Sequence, residues 1–198
     1  MLELLLRKAK YENYYFVLHI ETHGNENGII LKNNDEIRWF ELVALFREIN
    51  ICYFNSLLVV LGSCKGMNII ESIDLELRAP FKALISSLKD IYLGDLIPGF
   101  EEFYQYFFFN FDIEESLNKY NLVIGDQKDQ LNLITSDYCF DTITNIERPK
   151  VDKSKLIEIF RQSSNEDLTD LEILRILTEM FEKLKETREY FLMEDLKY

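Results

Sequence analysis

Two continuous apolar runs, each closing on a chemically reactive residue, constrain this chain more than any other feature. The first runs from Tyr14 through Phe16-Val17-Leu18-His19-Ile20-Glu21-Thr22 into His23-Gly24, and the second from Leu57 through Leu58-Val59-Val60-Leu61-Gly62-Ser63 into Cys64. Unbroken apolar runs of this length are the pattern of strands buried on both faces of a parallel sheet. Between them Trp39, Leu42, Val43, Phe46 and Ile49 recur at helical spacing, which predicts a helix over 38–50. Strand, helix, strand makes a right-handed βαβ unit whose strands are near neighbours. His23 and Cys64 are thereby expected at the carboxyl edge of a parallel sheet, where open α/β sheets place their ligands.

The 198 residues suit one α/β domain with a helical appendix, and fifteen Phe and eleven Tyr supply its core. The net charge of −13, without a basic patch, argues against direct nucleic-acid binding. Cys52, Cys64 and Cys139 form no C-x-x-C pair, and two histidines are too few for a metal motif, so no cofactor or metal is expected. Sparse cysteines, no signal-peptide pattern and no run near ~20 apolar residues predict a cytoplasmic protein with no membrane association.

Along the chain, residues 1–10 read as a short amphipathic helix and 24–28 as loop. Ile29-Ile30-Leu31 and Glu36-Ile37 read as a hairpin standing over the strand ends. A helix is expected over about 67–77, ended by Pro80, then a parallel strand over 81–86 and an aromatic-striped helix over 95–110. Asp112 is a candidate N-cap for a helix over 113–120. Leu122-Val123-Ile124 and Leu131-Asn132-Leu133-Ile134 read as a last strand or a hairpin. Residues 1–145 form the expected α/β body. Residues 150–198 form a helical tail, with a capped start near Ser164-Asn165-Glu166-Asp167, that either packs on the body or mediates assembly.

The blocks ending in His23-Gly24 and Cys64 resemble those of the caspase-like cysteine peptidases, and most nearly the bacterial CHAT branch. His19, four residues before His23, Asp95 followed by Phe103-Tyr104, and Asp112-Ile113-Glu114-Glu115-Ser116-Leu117 add to the likeness, which spans about 14–120. It implies a three-layer α/β/α fold around a mostly parallel sheet. It also implies a cysteine endopeptidase cutting a particular protein substrate, of the kind deployed in stress or phage defence under control of a separate regulatory or sensor protein. The family usually has a strand and a helix ahead of the His-bearing strand; only about a dozen residues precede it here.

The implied chemistry uses Cys64 as nucleophile, His23 as acid–base partner, and the N–H groups of Gly24 and Cys64 as the oxyanion hole. Gly24 is read as letting a backbone amide approach the substrate, and Gly62 and Ser63 as leaving room for it beside Cys64. Relatives that cut after Arg or Lys tend to carry Asp where Gly62 stands, so this position predicts no charged preference. Asp95 is either a helix N-cap or a site-facing carboxylate, and Glu26 either a substrate contact or a solvated loop acid. Taken alone, Cys64 reads sooner as a buried strand-end thiol than as a nucleophile, and His23-Gly24 reverses that order; His19 is read as a core histidine on the strand face of His23. The rival reading is a catalytically inactive member of the same fold acting as a protein-binding or assembly module.

Overall fold

The structure, a computed structural model, describes residues 2–12, 16–125, 130–144, 157–158, 160–162 and 168–196. In chain order its elements are α1 (Leu2–Glu12), β1 (Leu18–Glu21), β2 (His23–Gly24), β3 (Gly28–Ile30), β4 (Glu36–Arg38), α2 (Trp39–Cys52) and β5 (Leu58–Gly62). A 3-10 helix follows (Gly66–Ser72), then β6 (Ala83–Ser86), α3 (Leu93–Asn110), α4 (Ile113–Ile124), β7 (Asn132–Thr135), α5 (Ser136–Ile143) and α6 (Asp170–Phe191). The main sheet is mixed and mostly parallel, in the order β1-β5-β6-β7; β1, β5 and β6 run parallel and β7 antiparallel. A second, antiparallel sheet has the order β2-β3-β4.

The apolar run of β5 is buried at every position because both faces of the sheet are covered. Alternate residues serve different cores. Val59 and Leu61 join Leu42, Val43, Phe46 and Ile49 of α2, while Val60 joins Phe100 and Phe103 of α3 and Tyr120 of α4. The turn between α2 and β5 is held by buried Asn50. Its amide donates to Asn55 Oδ1 (3.0 Å) and to the Ala79 carbonyl (2.9 Å), and its Oδ1 accepts the Leu57 N–H (2.9 Å).

Several expected boundaries change. Gly24 is not loop but pairs with Ile29 across β2 and β3. The helix expected over 67–77 is the short 3-10 turn. Its start is pinned by the Met67 N–H on the Ser87 carbonyl (3.0 Å), and Ile73 returns the chain to extended backbone. Leu122-Val123-Ile124 are neither strand nor hairpin. They complete α4, which begins at the Asp112 cap and has no breaker before Gly125 (φ 78°). Leu131 precedes β7, the antiparallel last strand of the main sheet. The capped start expected at Ser164-Asn165-Glu166-Asp167 falls outside the described residues except Leu168 and Thr169 just after it. Helix α6 is capped by Thr169, whose hydroxyl accepts from the Glu172 N–H while the Glu172 carboxylate accepts the Thr169 N–H (2.9 Å).

The far end of the tail stretch packs into the first core. Phe191, Leu192 and Met193 are buried, the Phe191 carbonyl accepts the Ala79 N–H (2.8 Å), and the Leu192 carbonyl accepts from Asn55 Nδ2 (2.9 Å). Among the described residues no helix is long and apolar enough to cross a membrane.

Candidate functional site

Thr22 places His23. Its N–H reaches the Gly62 carbonyl at the end of β5 (3.4 Å), and its hydroxyl donates to the Ile30 carbonyl of β3 (2.6 Å). This one residue joins the two sheets and passes the chain from the edge of the main sheet into the small one. His23 lines one cavity and His19 another, and Glu21 between them meets both, lining the cavity of His23 and standing 3.3 Å from His19 Nε2.

At the parallel strand end, Gly62 and Ser63 lead into half-buried Cys64, and Lys65 turns the chain in the left-handed conformation (φ 55°). Exposed His23 and Cys64 line one cavity of about 330 Å3. Its other walls come from Glu21, Thr22 and Gly62 at the strand ends, Ile30, Leu31 and Lys32 on the hairpin, and Ile91 and Leu96 after β6. The hairpin stands over the strand ends. The Cys64 sulfur accepts the Ile91 N–H (3.3 Å).

Gly24 packs directly on the Cys64 backbone. A Cβ there would overlap the Cys64 carbonyl oxygen and stand 3.2 Å from Ser63 Cβ. The missing side chain thus makes room for Cys64 itself. The Asn25 N–H donates to the Gly28 carbonyl (3.0 Å), which puts Gly24 in the non-hydrogen-bonded register and turns its N–H away from β3.

The other candidates divide. Gly62 lines the cavity floor. Ser63 is buried, with its hydroxyl unpartnered among the described residues, and does not line the cavity. Glu26 is turned away from it and pairs with Lys65 Nζ (2.7 Å), which lowers the Glu26 carboxyl's pKa. Asp95 lies in the first turn of α3, and its side chain falls outside the described residues. His19 packs against Phe100 and Tyr104, at ring-centroid distances of 4.4 and 5.4 Å, and burial lowers its pKa. Glu21, Ile91 and Leu96 were not expected at the site. Glu21 is concealed inside an apolar run, and only its register opposite Gly62 reveals it. Among the described residues no three His, Cys, Asp or Glu side chains group as metal ligands.

Comparison with protein-family models, with curated proteins and with solved structures finds no match to this chain.

Proposed function

We propose that this chain is a caspase-like, CHAT-type cysteine endopeptidase with a three-layer α/β/α body, acting on a particular protein substrate. The observation that carries the reading is the single cavity shared by His23 and Cys64 at the carboxyl end of adjacent parallel strands. Apolar cores on both faces of the main sheet support the layered body.

In this mechanism His23 takes the Cys64 thiol proton and the thiolate adds to the scissile carbonyl carbon. The oxyanion is held by the N–H groups of Gly24 and Cys64, an arrangement in which each donor is worth about 3 kcal/mol. Protonated His23 gives its proton to the leaving amine as the C–N bond breaks, leaving a thioester on Cys64. Water then adds to the thioester carbonyl, losing a proton to His23. Collapse expels the Cys64 sulfur, which recovers that proton. No cofactor takes part. By the same family likeness the enzyme is a cytoplasmic stress- or phage-defence effector held in check by a separate sensor protein.

A second reading, an inactive fold that binds other proteins, is favoured by the outer edge of β1, which no strand pairs among the described residues. An aromatic groove of about 630 Å3 runs there past Phe16, Val17, Tyr104 and Phe107. Labelling by a peptidyl electrophile library separates the two. For the peptidase, Cys64 is the alkylated residue, Cys64→Ala abolishes labelling, and His23→Ala slows it at least tenfold while leaving iodoacetamide alkylation of Cys64 intact. Equal peptidyl labelling of wild type and His23→Ala favours the binding module.

A further inference from the structure

The cavity beside Cys64 contains a carboxylate, and its position says which side chain the cavity accepts. Glu21 is the last residue of β1 and lies directly across the parallel ladder from Gly62, two residues before Cys64. Cys64 follows just past the end of β5, and Glu21 and Cys64 line the same cavity. Gly62 and Glu21 are in close contact: a Cβ at position 62 would stand 3.1 Å from Glu21 Cγ and 3.2 Å from Phe100 Cε2. Ile30, Leu31, Ile91 and Leu96 give the cavity apolar walls beside the carboxylate. Such walls suit the methylene stem of a long cationic side chain.

Glu21 has no lysine or arginine partner among the described residues. Its one ion-pair-distance neighbour is His19, with Nε2 3.3 Å from Oε1. Burial disfavours the charged form of that imidazole, so it does not neutralise the carboxylate. The only other charged side chain lining the cavity is Lys32, on the exposed hairpin turn.

Resting on the peptidase reading, we infer that Glu21, held opposite Gly62 on the strand-end wall of the cavity, is the specificity-determining residue and selects a lysine or arginine side chain immediately before the scissile bond. The charge that Gly62 does not carry is supplied from the neighbouring strand.

Two measurements test this. Peptidyl acyloxymethyl ketones carrying lysine, norleucine or aspartate next to the electrophile are compared for their rates of Cys64 labelling. Wild type is expected to prefer lysine over norleucine at least tenfold, and Glu21→Gln, an isosteric neutral replacement, to bring that ratio near one. Benzamidine binding, followed by the amide resonances of Gly62 and Leu96, needs no catalysis; it is expected to weaken at least tenfold in Glu21→Gln. Equal lysine and norleucine rates in wild type overturn the assignment. So does an aspartate preference, which would give the role to Lys32, or benzamidine shifts that Glu21→Gln leaves unchanged. If no peptidyl probe labels wild type faster than His23→Ala, the peptidase reading fails, and the benzamidine result alone decides whether the cavity is a cation site.

Discussion

At the scale of single residues, Gly24 binds the two halves of the site together. Its missing Cβ lets β2 lie against the Cys64 carbonyl, so the imidazole-bearing strand and the thiol-bearing turn are in backbone contact. Gly24→Ala must push them apart. The expected outcome is a loss of about 1–3 kcal/mol in urea unfolding, the usual cost of overpacking, with peptidyl labelling of Cys64 reduced at least tenfold. Wild-type values for both would show that β2 can give way. The need for glycine at position 24 was legible in the sequence, but its neighbour was not. Close approach was expected to serve a substrate, and the nearer object is the protein's own carbonyl. Glu21 and His19 escaped for a related reason. Facing and register across strands depend on where the chain crosses between sheets, here Thr22, and no local pattern records that crossing.

At the scale of elements, the strands and long helices follow the apolar periodicity closely: β5 is buried throughout, and α2 buries Trp39, Leu42, Val43, Phe46 and Ile49, with exposed Phe40 and buried Asn50 as its exceptions. The errors fall on short segments whose conformation is dictated from outside. Residues 66–72 are shaped by backbone bonds to the 87–89 stretch, including the Lys65 N–H on the Lys89 carbonyl (3.0 Å). Residues 122–124 carry a strand-like composition but extend a helix already nucleated at Asp112. Helix α6 shows how a long, largely exposed element is secured near its two ends. Ile173 and Phe191 are its buried residues, and Phe191 meets Phe140 at a ring-centroid distance of 5.6 Å. Phe191→Ala is expected to cost about 3–5 kcal/mol in denaturant unfolding. An exposed change on the same helix, Leu171→Ala, should stay within about 0.5 kcal/mol. Similar losses from both would mean the helix is not anchored at this end.

At the scale of the whole molecule, the end of α6 is tied to the body by acid-sensitive contacts. Arg188 reaches Asp137 (3.3 Å) and Asp141 (3.5 Å), and Arg78 forks onto Asp195, with Nη2 2.6 Å from Oδ2. Partial burial raises the pKa of Asp137, but the hydrogen bond from Lys82 and the charges of Lys82 and Arg188 outweigh it and hold it below its ordinary 3.8. The Arg78 hydrogen bond likewise holds Asp195 below 3.8. Carboxyls depressed in the folded state bind fewer protons there than when unfolded. Their contribution is complete above about pH 5 and is lost progressively as pH falls from there through 3.8 and below. Thermal unfolding should therefore drop across that window, and the drop should shallow in an Asp137→Asn, Asp195→Asn double variant. An unchanged slope would place the acid sensitivity elsewhere. Both side chains are partly exposed, so added salt should weaken the same contribution.

The hydrogen bond from Asn55 to the Leu192 carbonyl joins groups 137 residues apart. A ribosome adds about 5–20 residues per second, so this bond cannot form until roughly 7 to 27 seconds after Asn55 has been polymerised. During that interval both reactive side chains have been made, yet the floor beneath α2 and β5 still lacks Phe191, Leu192 and Met193. The nascent chain thus carries a thiol and an imidazole on an unfinished scaffold until the stretch that closes it arrives.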